Sequence, residues 1–121
     1  MEMQTNTNVI LEIEHLNPNS TSDLYGPVEL SNSIKCAITA QAYFRSNASE
    51  NVRTLILSSW DDANYDTEPY AQFDIPVEGN QTVRTTYTVL PDPKYIKARV
   101  VNLDPNVTAD YVKVVVTYTE P

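Results

Sequence analysis

Apolar and polar residues alternate with a period of two along most of the chain. From Ile34 to Phe44, "IKCAITAQAYF" sets Ile34, Cys36, Ile38, Ala40, Ala42 and Phe44 on one side, and Lys35, Ala37, Thr39, Gln41 and Tyr43 on the other. Every position of the first set is apolar, which is the signature of a strand with one buried face. "YVKVVVTYT" repeats the pattern near the C-terminus, with Val112, Val114, Val116 and Tyr118 inward. Val9–Glu14, Val52–Trp60, Ala71–Val77, Thr82–Val89 and Tyr95–Leu103 read the same way, and Val28–Leu30 is a short further candidate. In this phase Trp60 continues the inward set of Val52, Thr54 and Ile56, so it could close the core at the strand end.

Turn chemistry separates these runs. "NPNSTSDLYGP" (Asn17–Pro27), "SNASEN" (Ser46–Asn51), "PDP" (Pro91–Pro93) and "LDPNVTAD" (Leu103–Asp110) are loops, and Glu78–Asn80 is a tight hairpin candidate. No helical period extends beyond about two turns. The pattern predicts an all-β chain: an antiparallel β-sandwich of Greek-key or jelly-roll type with seven or eight strands. Residues 9–121 form the single domain expected from this length. The polar residues 1–8, "MEMQTNTN", are expected as a flexible arm or one ordered by a partner.

Charge narrows the partners. Sixteen acidic residues against eight Lys and Arg give a net charge of −8. Such a surface repels phosphate, so neither nucleic acid nor an anionic membrane is expected as a partner. A single cysteine, Cys36, excludes an intramolecular disulfide and a cysteine zinc site, and its phase points it to the core. The start of the chain has no basic region followed by an apolar run, so no signal peptide is expected.

Candidate chemistry is sparse. One histidine, His15, stands at a strand end, and no Gly-x-Ser-x-Gly or glycine-rich phosphate loop occurs, the only glycines being Gly26 and Gly79. We therefore expect no enzyme, no catalytic residues and no cofactor. The richest stretch is "SSWDDANYDTEPYAQFDIPV", Ser58–Val77. Aromatic faces at Trp60, Tyr65 and Tyr70 could stack on a sugar. The oxygens of Asp61, Asp62, Asn64, Asp66 and Glu68 suit calcium, although the loop glycine and the twelfth-position glutamate of an EF-hand are missing. Equally, the stretch could be strand, long loop, strand, with solvated acids. Trp60, Asp61, Asp62, Tyr65, Asp66 and Tyr70 are the candidate contact residues for a partner or ligand. No metal is expected.

The order of motifs from about Leu55 to Glu120 adds a resemblance. A Ser-Asp turn with "NYDT" precedes a strand ending "FDIPV". A glycine turn and "TVRTTYTV" follow, then "YIKARVVNLD" and a closing valine-rich strand. This half of the chain resembles small β-sandwich structural proteins of tailed bacteriophage virions, including capsid decoration and accessory proteins. The resemblance implies a non-enzymatic virion protein on the capsid exterior, made in the bacterial host cytoplasm. Its partner would be the major capsid protein or another coat protein, bound as a homotrimer or homodimer. A tail or adaptor component and a carbohydrate-binding sandwich module are the alternatives.

Overall fold

A computed structural model describes residues 2–121. Eight strands follow in order: β1 (Gln4–Leu16), β2 (Tyr25–Glu29), β3 (Lys35–Phe44), β4 (Val52–Ser59), β5 (Ala71–Ile75), β6 (Gln81–Val89), β7 (Tyr95–Asn102) and β8 (Ala109–Glu120). No helix occurs among the described residues. The strands pair antiparallel into two four-stranded sheets, ordered β1-β8-β3-β6 and β2-β7-β4-β5. That order is the jelly roll, one of the sandwich types the alternation predicts.

The alternation builds the core directly. Cys36, Ile38, Ala40, Ala42 and Phe44 of β3 are all buried against Val112, Val114 and Val116 of β8. From the second sheet come Val52 and Ile56 of β4, Phe73 and Ile75 of β5, and Ile96, Ala98 and Val100 of β7. Each fully buried Val, Ile or Phe contributes about 1.5–3 kcal/mol relative to exposure, so this double layer is the main source of stability.

Four expectations change. The arm expected at residues 1–8, of which Met1 lies outside the described residues, belongs from Gln4 onward to β1, where Gln4–Asn8 pair with Glu120–Val116 of β8. Backbone pairing does not need apolar side chains, and β8 would otherwise leave that edge open. Ile34 precedes β3 and is exposed. Tyr87, in phase with the core, is 47% exposed because β6 is the edge of its sheet. Its ring still stacks on Phe73 at 4.5 Å, across the gap between the sheets. Glu78–Asn80 is not a hairpin, because β5 and β6 belong to different sheets. Gly79 crosses there so close to Ser46 that a Cβ would meet its carbonyl oxygen at 2.8 Å.

All connections except β4–β5 cross between the sheets, and they gather at two ends. Connections β1–β2, β3–β4, β5–β6 and β7–β8 form one end. Connections β2–β3, β4–β5 and β6–β7 form the other, together with the start of β1 and the finish of β8.

The first end is tied by polar groups. Asn102 is 1% exposed, and its Nδ2 donates to the carbonyls of Val107 (2.9 Å), Leu16 (3.1 Å) and Asn17 (3.3 Å). Its Oδ1 accepts from the Asp104 amide at 3.0 Å. Asp104 in turn accepts from the amides of Ser49, Asn106 and Val107. Nearby, Tyr111 takes a left-handed φ of 50°, an uncommon conformation for a bulky residue, beside an irregularity in the β3–β8 register. Two successive residues, Ala109 and Asp110, are buried as a result. Asp110 binds Arg45 through two bonds (2.9 and 3.1 Å) and His15 Nδ1 at 2.8 Å.

Candidate functional site

The β4–β5 hairpin is the one connection that stays in its sheet, and its loop carries the six candidate residues. The loop folds back along β4: Ser59 and Tyr65 form an antiparallel bridge, and the Asp66 and Tyr70 amides donate to the carbonyls of Ser58 (3.0 Å) and Ile56 (2.7 Å). Leu57 and Ser59, on the outward side of the alternation, are therefore buried.

The acids organise this loop. Asp61 Oδ1 accepts from the amides of Asn64 (2.8 Å) and Ala63 (3.0 Å) and from the Ser59 hydroxyl (2.9 Å). Its Oδ2 accepts from Asn64 Nδ2 at 2.6 Å. The Asn64 and Ala63 amides hold the Asp61 carboxyl well below the usual carboxylate range. Asp62, at a left-handed φ of 61°, accepts from the Tyr65 hydroxyl. Asp66 Oδ2 accepts from the Ser58 amide (2.8 Å) and hydroxyl (2.6 Å). Tyr65 lies under Lys97, whose Nζ is 4.7 Å from the ring centroid. Burial first, then the neighbouring Asp62 carboxylate, raises the Tyr65 hydroxyl above its ordinary pKa. Tyr70 donates to the Leu90 carbonyl at 2.8 Å, which joins this loop to the β6–β7 connection.

The arrangement speaks to the readings of this stretch. Both oxygens of Asp61 accept from donors in or beside the loop, and Asp66 Oδ2 accepts from Ser58 of β4. Among the described residues no group of three or more His, Cys, Asp or Glu is arranged to hold a metal. Trp60 does not close the core. It is 72% exposed, because β4 ends at Ser59 and the Asp61 turn swings the chain outward. Tyr65 and Tyr70 are held by bonds at their hydroxyls, and Lys97 lies over the Tyr65 ring.

What the loop does present is an apolar apex. Trp60 shares its end of the sandwich with Leu90 (66% exposed) and with exposed Met3 and Ile34, while Tyr70 is exposed at the margin. A shallow groove of about 350 Å³ opens beside Ile34 and Leu90, lined also by Ala37, Val89 and Pro91 and by polar Lys35, Thr88, Thr117 and Thr119; Trp60 and Met3 do not line it. Sequence reasoning found Trp60 and Tyr70 but missed Leu90 and Ile34. One stands after a strand and the other before one, and only the topology brings them together.

Cys36 lies behind this groove, 2% exposed, and burial pushes its thiol up to about 11. The thiol is therefore inert in the folded chain.

No protein-family model matches this chain, and no curated protein matches it. A solved structure of Bacillus endospore appendages, described as a novel family of disulfide-linked pili, is similar over 98% of this chain and 89% of that one. The TM-score is 0.51 and the identity 9%, so the likeness is one of fold. It agrees with the all-β sandwich, and it is to a structural, pilus-forming protein. None of these comparisons links the chain to the tailed-phage decoration proteins that its second half resembles in pattern. The disulfide linkage of those pili has no counterpart within these residues, where the single cysteine is buried.

Proposed function

We propose that this chain is a non-enzymatic structural subunit that works by docking into a larger protein assembly. The observation that carries the reading is the apolar apex: Trp60, Leu90, Ile34 and Met3 stand exposed at one end of a sandwich whose net charge is −8. Exposed apolar groups gathered in one region mark interaction surfaces, and tryptophan is a frequent anchor in them. Asp61, Asp62 and Asp66, which might have served chemistry, are engaged in holding the loop that presents Trp60.

We further propose that the assembly is a tailed-bacteriophage virion. There the chain would be a decoration protein on the capsid exterior, bound to the major capsid protein as a homodimer or homotrimer and made in the host cytoplasm. The pattern of Leu55–Glu120 supports this, and the jelly roll is a recurrent fold of viral capsid domains. A second reading, a subunit of an extracellular bacterial appendage, is favoured by the fold similarity to the endospore pilus. Immunogold microscopy of the source culture separates the two. The virion reading expects label on capsid exteriors. Label on cell-surface fibres would replace it with the appendage reading, and absence of label from any assembly would remove both.

A further inference from the structure

The four sheet edges of this sandwich are not alike. β2 is five residues long and is interrupted between Tyr25 and Val28, where Gly26 takes a φ of 131° and Pro27 lacks an N–H. β5 is also five residues, closed by Pro69 two residues before it and Pro76 directly after. β1 is long, but its register shifts between Val9 and Leu11 and acidic Glu12 and Glu14 follow. Proline, bulges, charge and short length are the devices by which proteins block edge pairing. β6 has no proline and no bulge, and it is not short. It runs nine residues in unbroken register with β3, from Phe44–Gln81 to Cys36–Val89, and carries one charge, Arg84, and no proline.

We propose that β6 is a self-association edge, pairing antiparallel with β6 of a second copy to make one continuous eight-stranded sheet. The inference rests on the assembly reading above and names the surface through which copies would join.

The sequence of β6 selects the occupant and the register. Alternate residues of an edge strand present unpaired N–H and C=O groups, which only another strand satisfies fully. With Thr85 opposite itself on a twofold axis, Val83 faces Tyr87 of the second copy twice, an aromatic to β-branched pairing that sheets favour. The exposed part of the Tyr87 ring, which its stack on Phe73 leaves uncovered, is then covered. Arg84 faces Thr86 of the second copy, and Thr82 faces Thr88. A register centred on Arg84 would instead oppose two like charges. The arrangement is isologous and therefore closes as a dimer. With a net charge of −8 per chain, two copies repel over most of their surface, and β6 carries no acid at all.

The test is sedimentation equilibrium of the full chain over a wide concentration range, with two substitutions at one exposed position on the outer face. Thr86→Lys sets two like-charge pairs against Arg84 across the axis and should weaken the dimer about fivefold or more. Thr86→Glu sets two opposite-charge pairs there and should tighten it by a similar factor, although it makes each chain more acidic. Opposite shifts support the edge. Shifts in the same direction, no shift, or a wild type that stays monomeric throughout overturn it. Amide exchange on the wild type tests the same pairing without a variant: protection at residues 82–88 should rise with concentration, and concentration-independent exchange refutes the pairing. A dimer that ignores both substitutions would remove this edge and leave the assembly reading intact. That reading is decided separately, by microscopy of the source particles.

Discussion

Asn102 closes the polar end of the sandwich. Its side chain satisfies carbonyls from the end of β1 and from the β7–β8 connection while accepting from the Asp104 amide. Asn102→Leu leaves these buried groups without partners, which should cost about 2–4 kcal/mol and lower the melting temperature by about 10 °C. A thermal melt showing a change of less than about 3 °C would show that other contacts hold this end. Asn102 was not legible in the sequence, because "VNLDPNVTAD" reads as a strand running into an ordinary polar loop, and nothing in the spacing says that its asparagine turns inward. Carboxylates act at the same scale. Asp74 is lowered by Arg53, Asp110 by Arg45, and Asp61 by the Asn64 and Ala63 amides; in Asp104, burial is outweighed by the Ser49, Asn106 and Val107 amides. Each binds its proton less readily folded than unfolded. Their stabilisation is therefore present above the ordinary carboxylate value of about 4 and is lost as pH falls through the lower folded values. Melting temperature should be insensitive to these groups from about pH 5 upward and fall below about pH 4. A melting temperature that rises on acidification would contradict the assigned contacts.

Strands were the most legible elements, because a two-residue period survives in any sheet with one buried face. β3, β7 and the core of β8 follow their apolar positions closely. Legibility failed where phase and burial part. Trp60 is in phase with Ile56, but its strand has ended. Tyr87 is in phase with Val83, but its strand is an edge. The first half of β1 has no apolar pattern at all, and pairs because β8 offers a backbone edge. That half is marginal by physical argument. About five net hydrogen bonds at roughly 1 kcal/mol each are set against ordering about five residues at roughly 1–2 kcal/mol each. Deleting residues 1–8 should move the melting temperature by no more than about 5 °C, and in the intact chain amide exchange at residues 4–8 should be much faster than at residues 11–16. Slow exchange through the whole of β1 would show that its polar half is bound more firmly than this balance allows.

At the scale of the molecule, the two ends of the jelly roll differ in kind. One is sealed by Asn102, Asp104 and the Arg45–Asp110–His15 contact, and the other shows Trp60, Leu90, Ile34 and Met3 to solvent. The hydrogen-bonded β4–β5 loop fixes where the backbone of Trp60 stands, so little backbone ordering is lost on contact with a partner. Neither end could be read from the sequence, since each is assembled from connections far apart in the chain. The central claim is that the apolar end docks onto a larger particle. Trp60→Ala removes its most exposed anchor and, at an exposed site, should change stability by no more than about 0.5 kcal/mol. The direct measurement is co-sedimentation of the folded protein with purified source particles, wild type beside Trp60→Ala. The expected result is saturable binding of the wild type and a loss of about tenfold or more in affinity for the variant at unchanged melting temperature. A wild type that ignores the particles and instead binds insoluble polysaccharide through Trp60 would contradict the claim.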